Sequence, residues 1–191
     1  MRLYTKLKNF FWYRVTQYIY SRSFASIGKH TTIYSPRQID NASSIYIAEK
    51  VAIKDGAWLM GNVEQKKTLS IEAGTAIGHF AHIIALHDVV IGKDVLIADK
   101  VFISDCTHRY EDIDIPIIHQ GVDMLNSVYI GDGSWIGENV CIQGCKIGKH
   151  CVIGSNSVVT KDIPDYSVAV GVPAKVVKKY NFEKKTWEKV E

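Results

Sequence analysis

Four of the seven histidines fall between residues 79 and 108, at His79, His82, His87 and His108. The last of them stands among Asp105, Cys106, Glu111 and Asp112. Imidazole has an ordinary pKa near about 6.5, so such a group can take or give a proton at neutral pH. The nearby carboxylates could orient His108 or a bound hydroxyl; solvated loop charge accounts for them equally well. Cysteines at 106, 141, 145 and 151 admit disulfides or a metal site by count alone. Cys145 and Cys151 fill a slot that other repeats give to valine, so they read as small buried apolar residues with free thiols. Cys106, beside His108, stays open.

These residues hang on a ladder. Ile130, Ile136 and Ile142 fall six apart and, after one five-residue step, Ile147, Ile153 and Val159 do the same. Neither step is a helix period. A small or apolar residue two before the aliphatic one, as in Val128 with Ile130, is strand alternation. Glycine or a polar pair then turns the chain. Short strands repeated with no helix between them satisfy their backbones by stacking coil on coil, as a parallel β-helix. The ladder starts at Ile27-Gly28 and continues through Ile33, Ile39, Ile45 and Val51, with a second register at Ile47, Ile53 and Leu59 that resumes at Ile71, Ile77 and Ile83. Polar residues 62–68 read as a bulge at a corner. Val89 with Ile91, Val95 with Ile97 and Val101 with Ile103 predict one triangular turn of 18 residues. Glycines 28, 78, 92, 131, 137, 148 and 154 each follow an isoleucine and mark corners. Between Ile103 and Ile130 the ladder is absent. A segment of that length is functional or disordered, and His108, Tyr110, Pro116 and Gln120 mixed with aliphatics argue against disorder.

The chain has 191 residues, 47% of them hydrophobic, which suits one domain. A net charge of +3 makes no case for nucleic acid. Charge is nonetheless uneven, because Arg2, Lys6, Lys8, Arg14, Arg22, Lys29 and Arg37 all precede the first acid, Asp40. No run reaches the roughly 18 apolar residues of a membrane span, and Arg14 and Gln17 interrupt any signal-peptide core. A cytoplasmic protein is expected, with peripheral contact at the inner face of the membrane left open. Leu3, Leu7, Phe10, Phe11, Val15, Tyr18 and Ile19 predict an amphipathic helix over residues 3–24 with a basic opposite face. It would cap the first coil, or meet an anionic membrane surface through residues 1–24; the two are compatible. The expected divisions are this helix at 1–25, a β-helix at 26–170 with an inserted loop at 104–127, and a tail at 171–191 that forms a short closing helix or an extended arm.

The isoleucine-glycine hexads, the Thr107-His108-Arg109 loop, the Val159-Thr160-Lys161-Asp162-Ile163-Pro164 step and Gly171-Val172-Pro173-Ala174-Lys175 together resemble the hexapeptide-repeat acyltransferases. Within that superfamily the chain is most similar to sugar O-acetyltransferases of surface polysaccharide (O-antigen, capsule, exopolysaccharide) biosynthesis, relatives of galactoside and maltose acetyltransferases. The resemblance implies a left-handed β-helix and a homotrimer with active sites between subunits. It implies acetyl-CoA as donor, a saccharide hydroxyl as acceptor and His108 as general base, with a backbone amide holding the oxyanion. It places Trp135 near the cofactor, Ser155, Thr160 and Lys161 along the donor groove, and Lys175 and Lys178 at the CoA phosphates. Those lysines keep the charge of the arginines common in relatives and lose their bidentate fork. The acceptor side would be built near His79, His82 and His87, with Asp105 and Tyr110 from the insert. No metal is implied. Three other readings share the fold: a xenobiotic acetyltransferase with an Asn-His-Arg-like loop, a γ-type carbonic anhydrase, and a non-catalytic scaffold. His82 and His87 have the offset of two anhydrase ligands, but no histidine between His30 and His79 offers the third.

Overall fold

Hexads that turn after each short strand wind the chain around a triangular section. In the computed structural model, which describes residues 2–190, this produces three parallel sheets. The first face stacks Ser26–Ile27, Ile45–Ile47, Leu69–Ile71, Val89–Ile91, Val128–Ile130 and Lys146–Ile147. The second stacks Thr32–Ile33, Ala52–Ile53, Ala76–Ile77, Leu96–Ile97, Trp135–Ile136 and Val152–Ile153. The third stacks Gln38–Asp40, Trp58–Met60, His82–Ile84, Phe102–Ser104, Cys141–Gln143 and Val158–Val159. The aliphatic rung residue of each strand, most often isoleucine, points inward and pairs in register with that of the next coil, as Ile33 with Ile53 and Ile103 with Ile142. These four have no exposed surface, and burying one such side chain is worth about 1.5–3 kcal/mol.

Two of the three edges are invariant, with six residues from rung to rung on every coil. All length variation falls on the edge from the third face to the first. That step is eight residues from Ile83 to Ile91, twelve from Leu59 to Ile71, twenty-seven from Ile103 to Ile130 and five from Ile142 to Ile147. The full coil is therefore 20 residues where Ile71 pairs with Ile91, and the turn that starts at Val89, expected to close in 18, closes in 39 at Val128 because the insert interrupts it. The two sequence registers are one strand seen twice, since first-face strands turn both their first and third residues inward, as Ile45 and Ile47 do. At the five-residue step Gly144 adopts a left-handed φ of 53°. The isoleucine-following glycines serve a different need. Left-handed corner positions are filled by Lys50, Asp94 and His150, whereas a Cβ on Gly131 would lie 2.5 Å from the Gly148 carbonyl carbon of the next coil. Close coil approach, not chain reversal, requires glycine there.

The N-terminal helix α1 spans Arg2–Tyr18, shorter than expected, and a single 3-10 turn, Tyr20–Arg22, follows. It caps the solenoid with its polar side. The Thr16 hydroxyl accepts the Ile33 N–H at 2.9 Å and is itself fully buried, and Gln17 Nε2 donates to the Gly28 and Thr31 carbonyls. Lys8 Nζ lies 2.9 Å from an Asp55 carboxylate oxygen. The end strand Thr32–Ile33 presents unpaired backbone groups, so what it needs is hydrogen-bonding partners. Phe24, 6% exposed, already plugs the core beneath. Of the apolar residues at helical spacing, Leu3, Leu7, Phe10, Phe11, Tyr18 and Ile19 are each more than half exposed, and Val15 is partly covered.

The tail is neither a helix nor a free arm. Ser167–Gly171 joins the second face, and Ala174–Asn181 and Thr186–Lys189 add antiparallel to it. All four cysteines are free. Burial pushes the Cys145 thiol up to about 11 and raises those of Cys151 and Cys106.

Candidate active site

The insert leaves the third-to-first edge as a hairpin. Cys106–His108 pairs antiparallel with Val122–Met124, setting His108 opposite Val122. The Arg109 N–H donates to the Gly121 carbonyl, and its guanidinium pairs with Asp123. At the tip, Gln120 Nε2 donates to the Asp112 and Ile115 carbonyls at 2.7 Å each. His108 thus stands exposed on a paired strand, and its ring has no hydrogen-bond partner among the described residues. Ser104 Oγ accepts the Cys106 N–H, and with its thiol pKa raised Cys106 is no thiolate nucleophile at neutral pH.

Asp105, at the base of the hairpin, was expected to meet the acceptor. It is wholly buried, and its oxygens accept the N–H groups of Leu86, His87 and Asp88 at 2.9, 2.8 and 2.7 Å. Those bonds commit the carboxylate to holding the corner that carries His87 and leave it closed to a sugar. Charge-assisted bonds of this kind are the strong ones.

The three upstream histidines form no cluster, because the winding sends them to three places. His79 sits on the edge between the second and third faces, its Nδ1 3.2 Å from Asp99 and its Nε2 3.8 Å from Asp55. The His79 backbone N–H, donating at 2.7 Å, is the main reason that the Asp99 carboxyl lies below the usual range. His82 lies outward on the third face, stacked on Trp58 at 4.1 Å and edge-on to Phe102 at 5.3 Å. Burial lowers its pKa, and the Arg37 charge adds to the effect. Only exposed His87 shares the edge that carries His108.

The residues assigned to the donor are divided as well. Trp135, half exposed, lies on the second face in file with Leu96, Val152, Val168 and Lys178. Trp135 and Lys178 line one cavity of about 360 Å³ with Val152 and Trp187. Thr160 lies across the molecule, in a cleft of about 390 Å³ with Thr107, Tyr110, Asn126 and Gln143. Lys161 follows it on the same exposed edge, Ser155 occupies the second-to-third corner, and Lys175 pairs with Val170 in the tail hairpin. A further cavity, about 550 Å³ against tail residues 179–190, touches none of them. In a triangular section the second face is opposite the third-to-first edge, so one chain does not bring Trp135 and Lys178 to His108. Asn126 and Gln143 went unnoticed in the sequence. Gln143 continues the column of Ser104, a signal visible only once the coils are in register.

Residues 127–161 match the family described as bacterial transferase hexapeptide (six repeats). WbbJ of Escherichia coli K12, whose name links it to lipopolysaccharide biosynthesis as an O-acetyl transferase, is 38% identical over 161 residues, 81% of either chain. A solved galactoside acetyltransferase in complex with coenzyme A is 29% identical with a TM-score of 0.59, covering 90% of this chain and 74% of that one. The N-acyltransferase AntD from Bacillus cereus, solved with dTDP and 3-hydroxybutyryl-CoA, superposes with a TM-score of 0.74 over 88% of this chain and 90% of that one; at 20% identity it speaks to the fold alone.

Proposed function

Because the chain belongs to the hexapeptide-repeat acetyltransferases, we propose that it moves an acetyl group from acetyl-CoA to a saccharide hydroxyl with His108 as general base. One observation carries the choice of base. His79 is tied to Asp99 and Asp55, His82 is held in an aromatic sandwich, and His87 rides a corner; of the four histidines between residues 79 and 108, His108 alone stands on an exposed hairpin strand, next to Thr107 of the Thr160 cleft.

Neutral imidazole takes the acceptor hydroxyl's proton as that oxygen attacks the thioester carbonyl. The tetrahedral oxyanion then collapses, the carbon–sulfur bond breaks, and the imidazolium returns the proton to the CoA sulfur. Support for CoA as donor comes from the 29% identical galactoside enzyme crystallised with it. Ser155, Thr160 and Lys161 would line its groove, Trp135 would flank it, and Lys175 and Lys178 would meet its phosphates. A saccharide acceptor fits the names of WbbJ and the galactoside enzyme, and His79, His82, His87 and Tyr110 are its candidate neighbours.

The separation of His108 from Trp135 and Lys178 supports a homotrimer in which the insert of one copy faces the second face of the next. The insert also carries Ile113 at 94% and Ile118 at 81% exposure, surface suited to cover by a neighbour. Thiol release from acetyl-CoA with a sugar panel tests the reading. His108→Ala is expected to lower the rate about 100- to 10,000-fold, and unchanged release would remove its role. Full activity from a species that sediments as a monomer would remove the shared site.

A further inference from the structure

The outward side of α1 is an apolar surface that the proposed reaction does not use. Leu3, Tyr4, Leu7, Phe10, Phe11 and Tyr18 form one strip, each more than half exposed. The opposite side is occupied, with Thr16 buried on the first coil and Lys8 on Asp55. A surface helix of a globular protein ordinarily has the reverse sidedness. The charge of α1 is all of one sign, with Arg2, Lys6, Lys8 and Arg14 and no acid within Arg2–Tyr18. Arg14 sits inside the strip, its guanidinium 4.6 Å from the Tyr18 ring centroid and 5.7 Å from that of Phe10. Lys6, Arg22 and Lys29 are exposed around it. A second copy of this face would set cations against cations.

We propose that α1 is a membrane-surface helix that seats the protein on an anionic phospholipid bilayer, its leucines and aromatic rings at the headgroup–acyl boundary and Arg14, Lys6 and Arg22 on lipid phosphates. Such a surface accepts apolar and cationic side chains from the same helix face, and the polar contacts of Thr16 and Lys8 leave that face free. The helix lies on the bilayer and does not cross it, since no helix among the described residues is long and apolar enough to span.

Flotation of the full chain with phosphatidylcholine vesicles, with and without phosphatidylglycerol, tests this directly. The protein is expected to float with the anionic vesicles and to be released as salt is raised. Leu7→Glu with Phe11→Glu is expected to abolish flotation while oligomer size and thiol release toward a soluble acceptor stay as in the unaltered chain. Arg14→Gln, which leaves the apolar strip intact, is expected to weaken binding about fivefold. Failure of the unaltered chain to float, or undiminished flotation of the double variant, would overturn the proposal. So would an oligomer that falls apart when Leu7 and Phe11 are changed, which would make the strip a subunit contact. Thiol release is read separately, so a failure of the acetyl-transfer reading leaves the flotation result standing.

Discussion

Ile103 and Ile130 flank the insert in the sequence and are wholly buried, while Ile113 and Ile118 inside it are 94% and 81% exposed. The residue type is the same; the difference is whether another coil lies above and below. Within the stack, each rung contacts its counterparts in the coils on either side, and its backbone N–H and C=O groups go to those neighbours. Within the insert, the only regular pairing is the short hairpin of Cys106–His108 with Val122–Met124. Burial in this protein is therefore a property of stacking, not of hydrophobicity. Leaving the stack is also what exposes His108, so the same departure creates an apolar surface and presents a titratable group.

The contrast can be broken at either end. Ile103→Ala removes a rung and should cost about 2–5 kcal/mol in denaturant unfolding, because neighbouring coils cannot collapse onto the hole; a loss under about 1 kcal/mol would mean that the ladder is not the core. Asp105→Asn acts where wall meets insert. It removes the charge from three buried N–H bonds, and a loss of about 1.5–3 kcal/mol is expected, read by the same unfolding curves.

His82→Phe probes the wall through pH. His82 has its pKa lowered in the folded chain, so as pH falls through about 6.5 the unfolded chain takes up the proton first. Its contribution is present above that value, is lost as pH falls toward the folded pKa, and is level below it. The unaltered protein should lose stability relative to His82→Phe over that window, seen as diverging melting temperatures; parallel curves would show that the imidazole is not desolvated. His108→Ala gives the smallest effect on stability, within about 0.5 kcal/mol, despite its large effect on rate. A melting temperature that dropped with it would mean that the hairpin holds the fold together.

Much was legible in the chain itself. The six-residue period, the stacking it demands and the place where it fails depend on local chemistry, a branched residue that favours a strand followed by residues that turn, and local chemistry is written in order. The insert and the motifs around Thr107-His108-Arg109 and Gly171-Val172-Pro173 stood out against that regularity for the same reason. Other features depend on which distant residues meet. His79, His82 and His87 look like a cluster along the chain and are dealt to two edges and a face by the winding. Asp105 looks like a loop acid and is a buried anchor because the corner at Leu86–Asp88 lies against it one coil away. The helix spacing predicted an amphipathic α1, and only the open strand edge at Thr32–Ile33, which needs hydrogen-bonding partners, decided that its polar side turns inward and its leucines and aromatic rings face out.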